Sequence, residues 1–237
     1  MKIFLTIITA FFIFSCALAP QPQVPQEVLI KIQGVDTVKV EKEDSGVAKS
    51  MVVENPDGKL SHLCFILGNQ AFFKLFSGLS TTDVTWLWND ICVLEYNTDI
   101  RDINLYINSP GGDAFSGLAL ADQIERAQRK GFKITAYASG IIASAAVPIL
   151  AVCDIRLAAP GTIFMVHEAA LWKWPGRETA SDIQSQNDLM ILLRDRYISK
   201  LVNNSKLDKE KWEELERKTT WFSAKKALLW GLVDKIE

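Results

Sequence analysis

The stretch INLYINSPGGDAFSGLALADQI, residues 103–124, carries the pattern that decides the fold. Its first part, INLYIN (103–108), is an apolar run of strand length, and SPGGD breaks it at once. Beyond the break, Phe115, Leu118, Ala121, Ile124 and Ala127 recur at helical spacing, while Asp122, Glu125, Arg126 and Arg129 take the opposite face. A buried strand that turns directly into an amphipathic helix is the unit of an α/β protein. The same alternation extends outward. HLCFILG (62–68) reads as a buried strand, and TTDVTWLWNDICVLEYN (81–97) as a helix with the stripe Val84, Leu87, Ile91 and Leu94. FKITAYAS (132–139) is the next strand, with Ser139 at its end. An apolar helix from about Ala143, strands at DIRLA and TIFMVH, and a mostly helical part over 180–230 complete the series. Ile183, Leu189, Leu192, Leu193 and Ile198 of that last part could serve stacking between copies of the chain or simply the core, and most of them are assigned to the core. Strands alternating with helices predict an α/β fold with a largely parallel sheet and crossover helices.

Bulk composition agrees with one domain of about 180 residues within the 237 of the chain. Apolar side chains make up 49%, enough for a sizeable core. The 26 basic and 28 acidic residues leave a net charge of −2 without a basic run, so no nucleic-acid partner is expected. The start, MKIFLTIITAFFIFSCALA, has one Lys and then an apolar run from Ile3 to Phe14, too short to span a bilayer and suited to a secretory signal. Two cleavage readings compete. IFSC resembles the bacterial lipoprotein box, with Cys16 as the lipidated residue, and is preferred; ALA before Pro20 has the small-x-small pattern, but a proline follows it. The chain then divides into a signal segment (1–19), a linker or extension (20–60) and a main domain (61–237). Within the extension, residues 20–27 form a proline-rich spacer, followed by a short pair of strands at best and a polar linker to about Lys59. This reading gives an exported protein on the periplasmic side of a bacterial envelope, with a lipid as its membrane contact. Cys64, Cys92 and Cys153 sit among apolar neighbours without metal-ligand spacing and read as buried free thiols; no metal or cofactor is expected.

Three elements carry possible chemistry. Gly111 and Gly112 end a buried strand and open a helix, which leaves backbone N–H groups free for an anion, although an ordinary tight turn has the same signature. Neither phosphate-loop pattern is present. Ser144 lies just beyond GII at a helix start, where it is either a plain N-cap or a serine in a positive local field. His167 ends the apolar strand TIFMVH. A serine hydrolase needs a nucleophile, a base and donors for the developing oxyanion. Of the two histidines, His62 and His167, the second ends a strand within the same unit as Ser144. All three elements fall at strand ends, where open α/β sheets place their ligands.

Five blocks, INLYINSPGGDAFSGLALADQI, GIIASAAVPIL, MVHEA, RETASDI and TTWFSAKKALLWGLVDKI, follow the order and approximate spacing of the Clp protease proteolytic subunit. The chain resembles that family over roughly residues 62–237. The resemblance implies a crotonase-like (Clp-type) fold of repeated β-β-α units with a C-terminal helical part, and a serine endopeptidase that works inside stacked homo-oligomeric rings. It places the family's nucleophile on Ser144, its base on His167, and its oxyanion donors on the N–H groups of Gly112 and Ala145. The third triad position falls on Thr219, where the family has Asp; a threonine accepts a hydrogen bond but carries no charge, and Asp182 or Glu216 are the acids considered in its place. The segment between Ser144 and His167 is slightly shorter than in the family. The implied substrates are peptides or unfolded proteins. The family's ATP-driven unfoldase partner does not suit an exported chain. Two alternatives are a signal-peptide-peptidase-like Ser/Lys enzyme, suggested by AVCDIRLAAPGTI, and a weak or inactive oligomeric scaffold on the same fold.

Overall fold

The computed structural model describes residues 37–38, 53–54, 58–170 and 177–237. The signal reading, its cleavage sites and Cys16 lie outside these residues. The elements, in chain order, are β1 (Thr37–Val38), β2 (Val53–Glu54), β3 (Cys64–Leu67), β4 (Gln70–Leu75), α1 (Thr81–Asn97), β5 (Asp102–Ser109) and α2 (Ala114–Arg129). They continue with β6 (Lys133–Ala143), a 3-10 turn (Ser144–Ala146), α3 (Val147–Ala151), β7 (Ile155–Ala158), β8 (Ile163–Val166), α4 (Ala180–Asn203), α5 (Lys209–Arg217), β9 (Thr220–Ser223), α6 (Ala224–Leu229) and β10 (Lys235–Ile236).

Strands β4, β5, β6, β7 and β10 lie side by side in parallel, and β1, β2 and β3 add an antiparallel edge beyond β4. This is the mixed α/β, crotonase-like architecture the sequence predicts. The strand at 62–68 is real, but it turns back on itself: β4 pairs antiparallel with it, and the alternating pattern around QAFFKL had not marked a second strand.

What positions the functional residues is the division of β6. Its first half, Thr135–Ala138, pairs with β7, while Ile141–Ala143 pairs with β8. A register shift against β5 between Ile107 and Ser109 marks the bend. Gly140 has φ +62° there, and a Cβ on it would stand 2.6 Å from Asn108 Oδ1, the atom that accepts the Ile141 N–H at 3.1 Å. One strand thus leaves the main sheet and enters a second small layer made with β8 and β9, which are antiparallel to each other.

The core is continuous from β3 to the C-terminus and holds Phe73, Leu94, Ile107, Ile149, Phe164 and Trp212, all essentially inaccessible. Asp113 caps α2 by accepting the Ser116 N–H at 2.8 Å, and Thr179 with Asp182 closes a capping box on α4. Asp122 on α2 receives Lys200 from α4 at 2.8 Å and also pairs with Arg196. Pairs of this exposure are each worth about 0–1 kcal/mol and orient α4 more than they stabilise it.

Several expectations need correction. Strand β6 runs through GII to Ala143, so Ser139 lies within it instead of ending it. The apolar helix expected from about Ala143 is a 3-10 turn followed by the short α3, because Ser144 has a left-handed backbone that no α-helix can contain. Phe115, placed on the inner stripe of α2, is 53% exposed; it stands in the first turn, ahead of the point where α2 packs down. Ile183 and Leu192 are also exposed, whereas Leu193 and Ile198 are buried, so only the C-terminal half of α4 rests on the core. Within 180–230 a strand, β9, interrupts the helices. Cys64 and Cys153 are buried thiols as expected, and burial pushes both up from the ordinary thiol range; Cys92 is only half-buried.

Candidate active site

Ser144 sits on a sharp corner. Strand β6 delivers it in extended backbone at Ala143, and the residue then adopts φ +54° before the 3-10 turn begins. For an L-residue this costs about 1–2 kcal/mol, and such strain gathers where a side chain must be held out at a defined angle. Two contacts secure the corner. The Ser144 carbonyl accepts the Val147 N–H and also the Tyr197 O–H at 3.3 Å, which ties the turn to α4. Neighbours are small by necessity. A Cβ on Gly111 would lie 2.6 Å from the Ala143 carbonyl oxygen and 2.7 Å from Ser144 Cβ, and one on Gly117 would lie 2.6 Å from the Ala145 carbonyl oxygen.

His167 leaves the end of β8, adjacent to the β6 segment that carries Ser144. Its Nε2 lies 2.8 Å from Ser144 Oγ. With the proton on Nδ1, Nε2 accepts the serine proton. Strand alternation matters here: Phe164 and Val166 face the core, so His167 emerges on the other side, toward the serine corner.

The glycine turn completes the local frame. Leu79 bridges Gly112, donating to the Gly111 carbonyl at 2.8 Å and accepting from the Asp113 N–H at 3.1 Å. That pairing leaves the Gly112 N–H unused among the described residues. Ala145 is in the first turn after β6, where N–H groups have no intrahelical acceptor. A Cβ on Gly111 would stand 3.0 Å from the Ala145 nitrogen, so the two turns carrying these N–H groups lie against each other. A model of the Clp protease family matches residues 67–237. The chain belongs to the Clp protease family. Among solved structures it is similar to a ClpP1 point mutant from Listeria monocytogenes, at 20% identity and a TM-score of 0.61, with 70% of this chain and 90% of that chain covered. At that identity the likeness speaks for the fold.

Thr219 departs from what its register offers. Antiparallel pairing of β8 with β9 ends at Val166 opposite Thr220, so the next step sets His167 opposite Thr219. Thr219 instead takes φ +48° and is exposed, and no hydrogen bond among the described residues joins it to His167. Its N–H donates to the Glu216 carbonyl at 3.0 Å. Asp182, one acid considered in its place, is exposed and held by Thr179 at the start of α4.

Glu216 lies elsewhere altogether. Trp212, Leu215 and Glu216 form the inward face of α5, at the i, i+3, i+4 spacing of an apolar stripe. Glu216 is 2% exposed and lines a small cavity together with Ser144, His167, Leu193, Arg194 and Tyr197. Its Oε2 has no hydrogen-bond partner among the described residues, nor has Arg194 Nε. Burial raises its pKa to about 7, helped by Glu168 and opposed by Arg194. In the sequence, Glu216 is only one of two possible acids. The stripe in KWEELER was the signal that singles it out, since it sets one glutamate on the same face as Trp212.

Proposed function

We propose that this chain is a serine endopeptidase of the Clp type, with Ser144 as nucleophile, His167 as general base, and the N–H groups of Gly112 and Ala145 as oxyanion donors. The observation that carries this reading is the 2.8 Å approach of His167 Nε2 to Ser144 Oγ at a strained corner beside the turn whose Gly112 N–H is unused among the described residues. His167 takes the Ser144 proton as Oγ bonds to the scissile carbonyl carbon, and the negative charge on the carbonyl oxygen falls to the backbone donors. The protonated imidazole then gives that proton to the leaving amine. Water, deprotonated by the same histidine, releases the acyl group and restores Ser144. Substrates in this reading are short or unfolded polypeptides, and the working form is a homo-oligomeric ring. A Ser/Lys mechanism finds no support in the cavity, whose lining includes no lysine among the described residues.

A fluorophosphonate probe is expected to label Ser144 of the purified domain, and Ser144→Ala and His167→Ala to abolish labelling. Equal labelling of all three proteins would remove the nucleophile assignment. No labelling of any of them, with intact oligomers by light scattering, would favour the inactive scaffold.

The same proposal places the protein outside the cytoplasm, anchored through Cys16, on the strength of the apolar run and IFSC motif at its start. Radiolabelled palmitate fed to expressing bacteria is expected to enter the wild-type chain and not Cys16→Ser. Equal incorporation in both, or none in either, would sink the anchor.

A further inference from the structure

The chemistry proposed above generates an imidazolium on His167 while the family's charged partner is missing at Thr219. A serine–histidine pair without a carboxylate loses the stabilisation of that cation, at a cost of about 10⁴ in turnover in the serine-protease template. We propose that Glu216 supplies the missing charge: a positioning residue, carried on α5, whose carboxylate shares the cavity with Ser144 and His167 and stabilises the cation that forms on the histidine. This inference rests on the Ser144–His167 reading.

The geometry favours it in three ways. Among the described residues lining the cavity, Glu216 is the one carboxylate, and Thr219 is not among them. It is nine-tenths buried and more, so its charge acts through protein rather than water. Its Oε2 has no hydrogen-bond partner among the described residues, although an unsatisfied buried carboxylate is costly; a purely structural glutamate on this face would be expected to have one. The cavity ties the parts together mechanically as well. Tyr197, which burial and Glu216 both push above the ordinary phenol range, holds the Ser144 carbonyl through its hydroxyl.

The charged surroundings set the pH range. Glu168, next to His167, and Glu213 on the same helix both raise Glu216, while Arg194 on α4 and Arg217 on α5 lower it, against a dominant effect of burial. The carboxyl therefore ionises near pH 7. Only the ionised form can stabilise His167, so the benefit is present above that pH and fades as pH falls through it. Stability runs the other way. A folded-state pKa raised from 4.5 to about 7 means that the fold prefers the protonated acid. That contribution is fully present below pH 4.5 and is lost as pH rises through 7.

The test compares wild type with Glu216→Gln on a fluorogenic peptide from pH 5.5 to 8.5, with thermal midpoints over the same range. At pH 8 the variant is expected to lose about 10–100-fold in kcat with KM little changed, and the two proteins are expected to converge toward pH 5.5. The variant's melting temperature is expected to match the wild type's near pH 5 and exceed it at pH 8, so a loss of turnover at pH 8 cannot come from a weaker fold; the pH-dependent kcat ratio is the readout that a purely structural glutamate would not move. Glu216→Asp, which keeps a carboxylate, is the fallback if the glutamine variant does not fold, and it should retain the pH dependence at reduced amplitude. A wild-type to variant ratio that is the same at every pH would overturn the inference. So would a changed preference for the substrate side chain at the scissile bond with an unchanged pH profile, which would make Glu216 a substrate contact. If instead Ser144→Ala keeps full activity, the peptidase reading itself fails, whatever Glu216 does.

Discussion

Ser144→Ala is expected to lower peptide turnover by at least about 10³, and the size of the fall is diagnostic. In the subtilisin triad, removing the serine costs about 2 × 10⁶ in kcat and removing the aspartate alone about 3 × 10⁴. These losses overlap, because the members act as a unit. A site that already worked without any acid would have only the remainder, roughly 10², left to lose with its nucleophile. A larger fall therefore requires that some other group does the work of the aspartate, and among the described residues lining the cavity Glu216 is the carboxylate available for it. Steady-state kinetics on a fluorogenic peptide, with circular dichroism to establish that the variant is folded, reads the number directly. A loss below tenfold would place the nucleophile elsewhere.

Gly111→Ala carries the second large expectation, a loss of both stability and activity. The residue has φ +87°, where a Cβ costs about 1–2 kcal/mol. The added methyl would also stand 2.6 Å from the Ala143 oxygen, 2.7 Å from Ser144 Cβ and 3.0 Å from the Ala145 nitrogen. None of these atoms can rotate away, so the Ser144 corner must move, and overpacking of that kind costs about 1–3 kcal/mol more. A melting-temperature drop of roughly 4–20 °C follows for a domain of this size. Displacing the serine by about 1 Å costs on the order of 10² in rate. Gly131→Ala is the control. Gly131 has nearly the same backbone, φ +88°, but nothing within 4 Å of its would-be Cβ, so it isolates the backbone cost. Equal melting temperatures for the two variants would show that the close approach at Gly111 is not constraining.

The parts of this architecture that were legible beforehand are those that repeat. Strand β5, the helix α2 and the return through β6 announce themselves by the shift from a continuous apolar run to helical spacing, and His167 follows from its place at a strand end. What escaped was decided by tertiary geometry. Strand β6 extends past Ser139 because its second half finds a different partner, β8, and no local propensity records that. Phe115 satisfies the helical stripe yet lies ahead of the packed turns of α2. Position 219 is opposite the histidine by register, but the left-handed turn that precedes β9 swings it outward. Glu216 was hidden for the opposite reason: in a helix as charged as KEKWEELER, one more glutamate looks solvated until Trp212 fixes which face is inside.

That turn at Thr219 has a consequence of its own. A β-branched side chain in left-handed backbone is among the least comfortable pairings in protein structure, whereas Asn and Asp settle there several times more readily. The residue type that the family's chemistry asks for at this position is thus also one that its backbone accepts with less strain. Stability alone favours Thr219→Asp here, because the same turn keeps the side chain exposed and outside the cavity that holds Ser144 and His167. Thr219→Asp is expected to raise the melting temperature by relieving the backbone, with peptide turnover left to Glu216.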